Sequence, residues 1–221
     1  MKKAFLFDMD GVMADSETAW DQLGYDDLLK SYFGLELFGK VKVNSGTSIK
    51  GIFDAFVVAG WQGDYAPFHK ENEKIAKQIY DTIPLSLGLD ELIQELDKRG
   101  FTIAVVSSSP TEWVESVINR LPSRQLITKI VSVNNHKTLK PKPSPDPYIF
   151  AMEELCVISE QTIVLEDSET GVTAAKASGA KVICLTMYQH GYDWQVLPKD
   201  GDFYAKTMTE VLDVVAKIDL Q

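Results

Sequence analysis

Cysteine and histidine are scarce in this 221-residue sequence, which has two cysteines and three histidines. Cys156 and Cys184 lie in apolar contexts, which favours two small buried side chains over a disulfide or a metal pair. His69, His136 and His190 are scattered without the spacing of metal ligands, so surface or packing roles are predicted. These shortages argue against a disulfide scaffold and against a metal centre built on cysteine or histidine.

Positive charge and long apolar runs are also lacking. The 22 Lys and Arg face 32 Asp and Glu, a net charge of -10, so the broad basic surface of a nucleic-acid binder is missing and no such partner is predicted. No run approaches the roughly 18 apolar residues of a membrane span, and no signal peptide is recognisable. We therefore expect a cytoplasmic protein without membrane contact, in which a local cation attracts any anionic substrate. A monomer is expected as well, although none of these features bears on the oligomeric state.

Short apolar runs that suit buried strands of a parallel sheet recur along the chain. They are Ala4–Phe7, Phe101–Val106, Lys129–Val133, Thr162–Leu165 and Lys181–Leu185. Helical patterns alternate with them, two of them followed by a glycine stop signal. They cover Gly88–Arg99, Thr111–Leu121, Pro147–Leu155 and Glu169–Ser178. The alternation predicts an α/β fold with a three-layer, Rossmann-like core, whose parallel sheet is covered on both faces.

Residues 16–83 interrupt this alternation. They contain three apolar-periodic stretches and no convincing strand: Ala19–Phe33, Ile49–Ala59 and Pro67–Tyr80. The simplest interpretation is a small all-helical domain, residues 16–83, inserted into a core formed by residues 1–15 and 84–221.

Polar and charged side chains follow the predicted strands, at the sheet edge where open parallel sheets bind ligands. They are Asp8 and Asp10 after the first run, Ser107, Ser108 and Ser109 after the second, Glu166 and Asp167 after the fourth, and Lys140 and Lys142 ahead of a helix. Carboxylates are hard ligands for Mg²⁺, and hydroxyl and ammonium groups can hold phosphate oxygens. The set predicts phosphoryl transfer at a magnesium site.

Structural interpretations compete with this one. Asp8 and Asp10 could close a tight turn, and Ser108 and Ser109 could belong to a loop before a helix that starts near Pro110. Residues 140–147, with four prolines, could form a stiff linker. Asp167 and Ser168 could cap the next helix, a role compatible with metal binding.

Four motifs in order resemble those of the haloacid dehalogenase superfamily, in the branch of β-phosphoglucomutase and sugar-phosphate phosphatases. They are Asp8-Met9-Asp10-Gly11-Val12, Ser107 after Ile103–Val106, Lys142-Pro143-Ser144-Pro145-Asp146, and Val164–Ser168 with Gly171. The resemblance runs through nearly the whole chain, and it implies a helical cap inserted after the first motif and a small phosphorylated substrate.

The resemblance also implies a role for each motif residue. Asp8 would be the nucleophile that becomes an aspartyl phosphate, and Asp10 the general acid and base. Ser107, Ser108 and Lys142 would bind the transferring phosphoryl group, and the pattern favours Lys142 over Lys140. Mg²⁺ would be held by Asp8, the backbone carbonyl of Asp10 and Asp167, with Glu166 as a supporting or alternative ligand.

The type of reaction is predicted from positions at which members of that family differ from one another. Asp10 argues for phosphate esters and against carbon–halogen cleavage. β-Phosphoglucomutases carry a histidine where this chain has Trp20 and an arginine where it has Ile49, so a phosphatase is predicted, with a phosphomutase as the alternative. A non-catalytic protein that binds a phosphorylated metabolite is a third interpretation. The cap's substrate loop is predicted to involve Trp20, Gly46, Thr47, Ser48 and Lys50.

Overall fold

The computed structural model describes residues 2–42, 49–188 and 198–220. The chain divides into two compact units. The core unit comprises Met1–Asp15 and Pro84–Gln221, and the helical unit comprises Ser16–Ile83. Among the described residues, no helix has the length and apolar character needed to cross a membrane.

A six-stranded parallel sheet forms the centre of the core unit. Its strands are β1 (Lys3–Phe7), β2 (Phe101–Ser107), β3 (Ile127–Ser132), β4 (Thr162–Glu166), β5 (Lys181–Leu185) and β6 (Phe203–Ala205). They are arranged in the order β3-β2-β1-β4-β5-β6, and every neighbouring pair is parallel. The order reverses direction beside β1, and the crevice at such a reversal is where doubly wound sheets bind ligands.

Helices cover the sheet on both faces. The core helices are α6 (Leu89–Lys98), α7 (Thr111–Ile118), α8 (Asp146–Leu155), α9 (Glu169–Ala177) and α10 (Met208–Val215). Helices α8 and α9 share a buried cluster with Ala4 and Leu6 of β1, whereas α6 and α10 contact each other and reach β2 and β5. Side chains alternate along a strand, so Phe5 and Phe7 face away from that cluster. The predicted three-layer α/β architecture is confirmed.

The remaining differences from the predicted elements lie mainly at the carboxyl end of the chain. Strand β6 and helix α10 were absent from the sequence prediction. Strand β6 has only three residues, and one of them, Tyr204, is exposed. Helix α10 does carry a start signal: the Thr207 side chain accepts a hydrogen bond from the Glu210 amide, as in a capping box.

The helical unit contains α1 (Ser16–Gln22), α2 (Tyr25–Phe33), α3 (Leu35–Phe38), α4 (Ile49–Val58) and α5 (Tyr65–Thr82). The apolar-periodic stretch Ala19–Phe33 is divided between α1 and α2, because Gly24 adopts a left-handed conformation with φ 70° between them. The unit has its own aromatic core, in which Phe33 and Phe56 stack with ring centroids 3.9 Å apart. It therefore buries a hydrophobic cluster of its own.

Candidate active site

Strand register brings the first and fourth motifs together. Phe7 of β1 pairs with Leu165 of β4, and the Asp8 amide donates to the Leu165 carbonyl over 3.0 Å. Asp8 and Glu166, the next residues of the two strands, are therefore neighbours at the carboxyl edge of the sheet. Both are buried, Glu166 completely. The parallel register thus places two carboxylates in the crevice beside the order reversal.

Lys142 reaches Asp8 and Glu166 from the loop that precedes α8. Its Nζ donates to Asp8 Oδ1 over 2.5 Å, to Glu166 Oε1 over 2.6 Å and to the Val106 carbonyl over 3.2 Å. Lys140 is exposed instead. The loop is a turn rather than an extended linker, because the Ser144 amide donates to the Pro141 carbonyl and α8 begins at Asp146. The ammonium group uses all three of its donors.

Glu166 receives five hydrogen bonds, which engage both carboxylate oxygens. Oε1 accepts from Lys142 and from the phenol of Tyr148, which lies 2.8 Å away. Oε2 accepts from the amide of Asp167 and from the amide and hydroxyl of Ser168, over 3.1 to 3.2 Å. Ser168 is also the N-cap of α9 through the Gly171 amide. Glu166 is therefore held in one orientation.

The charged groups of Asp8, Lys142 and Glu166 strongly influence one another's pKa values. Burial opposes ionisation of Glu166, but Lys142 and the surrounding donors outweigh it and lower the pKa of Glu166. Burial also opposes the charge on Lys142, yet the carboxylates of Asp8 and Glu166 raise the pKa of Lys142 well above its ordinary value. The pKa of Asp8 is raised by desolvation, against the attraction of Lys142. Additional positive charge at Asp8 would therefore favour its ionised form.

Serines of the second motif line the next part of the edge. Ser107 is the last residue of β2 and is completely buried, and its hydroxyl accepts from the Ser109 amide over 3.0 Å. Ser108 is half-buried. The Ser109 hydroxyl donates to Asp10 Oδ2 over 2.7 Å. Ser109, which the sequence suggested as a loop residue, is thus in contact with the second aspartate of the first motif.

Three acidic side chains offer a site for a hard cation. One carboxylate oxygen from each of Asp8, Glu166 and Asp167 lies within 4.8 Å of the other two. Oxygen donors of this kind fit Mg²⁺, and a cation there would offset the repulsion between them. The side chain of Asp10 is not part of this cluster. Because Glu166 already accepts five hydrogen bonds, Asp8 and Asp167 are the acids better able to serve as ligands.

Two glycines make room for these acids. A β-carbon at Gly11, where φ is 73°, would overlap the Asp167 carboxylate. A β-carbon at Gly171, in the first turn of α9, would overlap the Glu166 carboxylate. Both positions therefore require a residue without a side chain if the acids keep their places.

Of the residues predicted for a substrate loop in the helical unit, the structure describes two, and both lie in helices. Trp20 lies within α1 and donates from Nε1 to the Tyr80 hydroxyl over 3.3 Å, and Lys50 lies in α4 and pairs with Asp54. Both belong to helices rather than to a loop, and their part in substrate binding stays a prediction. Gly46, Thr47 and Ser48 lie outside the described residues.

The sequence analysis assigned no specific role to two residues that contact the site. Tyr148 reads as an apolar core residue of a helix, and nothing in the sequence marks its hydroxyl as a partner of Glu166. Ser109 lies in a polar run that suits a turn before a helix. Only the position of Ser109 two residues after Ser107, at the same sheet edge as Asp10, could have indicated its contact.

Comparisons with known proteins agree with this geometry. The family model of haloacid dehalogenase-like hydrolases matches residues 5–185. The chain is 29% identical over 229 residues to validoxylamine A 7'-phosphate phosphatase of Streptomyces hygroscopicus subsp. limoneus, covering 96% of each chain. It is 27% identical to the CBBY-like protein of Arabidopsis thaliana, with 83% of this chain matched, and it spans 63% of that protein's length.

A solved structure shows the same likeness in three dimensions. The CbbY protein of Rhodobacter sphaeroides, crystallised as a variant in complex with xylulose-(1,5)bisphosphate, superposes with a TM-score of 0.68. The two chains are 25% identical, and the match covers 95% of this chain and 96% of that one. The resemblance predicted from the four motifs is confirmed. The chain belongs to the haloacid dehalogenase-like hydrolases and is an enzyme of that superfamily.

Proposed function

We propose that this protein is a magnesium-dependent phosphatase that hydrolyses a small phosphorylated metabolite, of the sugar phosphate class, through an aspartyl phosphate on Asp8. The observation that carries the proposal is the contact between the Asp8 carboxylate and the buried Lys142 ammonium, with Glu166 and Asp167 beside them. A carboxylate nucleophile beside a fixed cation is what covalent phosphoryl transfer requires.

In the first half-reaction, an Asp8 carboxylate oxygen attacks phosphorus while the bond from phosphorus to the ester oxygen breaks. Asp10 donates a proton to the leaving oxygen, so the alcohol departs neutral. Lys142, Ser107 and Ser108 hold the oxygens of the phosphoryl group during this transfer. Such proton transfer contributes about 10²- to 10⁴-fold to the rate.

In the second half-reaction, a water molecule attacks the same phosphorus. Asp10, now ionised, takes a proton from that water, and the bond between phosphorus and Asp8 breaks. Inorganic phosphate is released, and both aspartates return to their starting states. Ser109 holds the Asp10 carboxylate through its hydrogen bond in both half-reactions.

The proposed cofactor is Mg²⁺, held by Asp8, Asp167 and the backbone carbonyl of Asp10, with Glu166 in a supporting position. When bound, the ion supplies positive charge that offsets the carboxylates and the phosphoryl oxygens. Because burial raises the pKa of Asp8, a cation at this position also favours the ionised nucleophile.

The proposed substrate class rests on the relatives. One is named as a phosphatase of validoxylamine A 7'-phosphate, and another was crystallised with xylulose-(1,5)bisphosphate. Both ligands are phosphorylated polyhydroxylated compounds. We assign substrate selection to the helical unit, residues 16–83, acting as a cap, and we propose that the protein works as a monomer in the cytoplasm without nucleic acid or membrane partners.

The test is a panel of phosphorylated sugars and sugar alcohols, incubated with purified protein and Mg²⁺ while phosphate release is measured. The matched variants are Asp8→Asn and Asp10→Asn, and both are expected to lose nearly all activity. Equal release by wild type and Asp8→Asn would favour the non-catalytic binding protein. Sustained conversion of β-glucose 1-phosphate to glucose 6-phosphate without free phosphate, given a trace of bisphosphate, would instead establish the phosphomutase.

A further inference from the structure

Tyr148 lies next to Lys142 and Glu166, the two residues that contact or neighbour the proposed nucleophile Asp8. It belongs to the first turn of α8 and is completely buried. Its phenol donates to Glu166 Oε1 over 2.8 Å, and its ring lies under Lys142, with Nζ 4.9 Å from the ring centroid. Tyr148 therefore contacts both groups that surround Asp8 without touching Asp8 through a hydrogen bond.

The contacts of Lys142 explain why such support matters. Lysine is a point charge on a flexible stem, unlike the rigid fork of arginine, so its position depends on the groups that accept its protons. Here those groups are Asp8, Glu166 and the Val106 carbonyl. During phosphoryl transfer the Asp8 oxygen must be given up to phosphorus. Glu166, the Val106 carbonyl and the aromatic ring of Tyr148 are then the protein groups that keep the ammonium group in place while it holds the phosphoryl oxygens.

Tyr148 also completes the set of donors around Glu166. On Oε2 that carboxylate has three donors from its own turn, whereas the donors to Oε1 within the described part of the chain are Lys142 and the Tyr148 phenol. Without the phenol, Oε1 would keep Lys142 alone. The carboxylate would then be free to draw Lys142 away from Asp8, and a misplacement of 1 Å can cost about 10²-fold in rate.

We propose that Tyr148 is a positioning residue for the reaction: its phenol fixes Glu166 Oε1, and through Glu166 and the face of its ring it keeps Lys142 against Asp8. The inference rests on the proposed phosphatase function and deepens it. It assigns to α8 a direct part in orienting the Lys142 ammonium, which holds oxygens of the phosphoryl group, beside the nucleophile Asp8.

The test is Tyr148→Phe, which removes the hydroxyl and keeps the ring. With p-nitrophenyl phosphate and saturating Mg²⁺, we expect kcat to fall about tenfold, as for the loss of one hydrogen bond to a charged group. KM should change less than twofold. The matched control is Tyr204→Phe, since the Tyr204 phenol also donates a hydrogen bond in the core unit, to the Pro198 carbonyl over 3.0 Å. Its kinetics should equal those of wild type.

A double-mutant cycle separates positioning from a general structural effect. If Tyr148 acts through Glu166, adding Tyr148→Phe to Glu166→Gln should lower kcat by less than twofold beyond Glu166→Gln alone. Full multiplication of the two losses would overturn the inference. So would an unchanged kcat in Tyr148→Phe, or failure of that variant to fold, as judged from its thermal unfolding.

Failure of the proposed function has a different signature. Wild type and Asp8→Asn are assayed beside the Tyr148 variants. If wild type shows no release that depends on Asp8, the phosphatase proposal falls and this inference falls with it. If wild type is active and Tyr148→Phe matches it, only the role of Tyr148 is refuted.

Discussion

The hydroxyl of Ser109 donates a hydrogen bond to Oδ2 of Asp10 over 2.7 Å, joining residues 99 positions apart in the sequence. The Ser109 carbonyl is itself fixed, because it accepts from the hydroxyl of Ser132 over 2.7 Å. Ser132 is buried at the end of β3, so the second aspartate of the first motif is oriented from the edge of the sheet. A carboxylate that exchanges protons with substrate depends on such an orientation.

We expect Ser109→Ala to lower kcat about tenfold, since a hydrogen bond to a charged group is lost. The loss should be larger for a sugar phosphate than for p-nitrophenyl phosphate, because an alkoxide leaving group needs its proton more than nitrophenolate does. Steady-state kinetics with both substrates checks this. Ser159→Ala, which removes a serine donor from the exposed Glu160, serves as the control. Equal losses with both substrates would contradict the role assigned to Asp10.

Much of the core could be predicted from the sequence because its signals are local. The apolar runs of β1, β2, β4 and β5 differ from the observed strands by at most one residue at either end. Strand β3 begins two residues earlier than predicted, because Ile127 and Thr128 precede the run with mixed polarity. The capping pattern at Thr207 could also have predicted α10, whereas three-residue β6 depends on pairing with β5 and has no signal of its own.

The site was less predictable where it depends on the path of the chain. That Asp8 and Glu166 meet follows from parallel strands ending at one edge. The contact of Tyr148 with Glu166 does not follow from strand direction. A tyrosine on an apolar helix face is interpreted as a core residue, because the sequence does not show which group its hydroxyl binds. Ser109 is similar, since its contact with Asp10 depends on how the loop after β2 turns.

The glycine at position 171 should be essential for the arrangement of Glu166. Gly171→Ala would gain about 1 kcal/mol of helix propensity, but it displaces a buried carboxylate from its donors at a cost of about 1–3 kcal/mol. We expect no gain in the free energy of unfolding and a loss of kcat of about 10²-fold. Denaturant unfolding and phosphate release test the two effects.

The matched control is Gly39→Ala in the helical unit. Gly39 has a helical conformation with φ -67°, and the nearest atom to a β-carbon there would be the Leu35 carbonyl oxygen at 3.5 Å. This variant should keep full activity and equal or higher stability. A Gly171→Ala protein with wild-type kcat would show that Glu166 can move without consequence.

Binding of Mg²⁺ to the acidic cluster should stabilise the folded protein. At about one hundred times the dissociation constant, linkage predicts a rise of about 5 °C in the thermal midpoint for a chain of this size. EDTA should reverse the rise. Asp167→Asn should abolish it, whereas Asp213→Asn, an exposed acid on α10, should retain it. A rise that persists in Asp167→Asn would place the ion elsewhere.

The two cysteines should differ sharply in reactivity. Cys184 lies on β5 and is completely buried, and burial raises the pKa of its thiol to about 12. At pH 8 only about one thiol in 10⁴ would be ionised, and the thiolate is the species that reacts. Cys156 is exposed at the end of α8, so the prediction of a buried side chain is wrong for this cysteine. Iodoacetamide should therefore add one group to the native protein and two after unfolding, as counted by mass spectrometry. The native Cys156→Ser protein should not react with iodoacetamide. Rapid modification of Cys184 in that variant would contradict the prediction, because it would mean that β5 becomes exposed to solvent far more readily than its burial indicates.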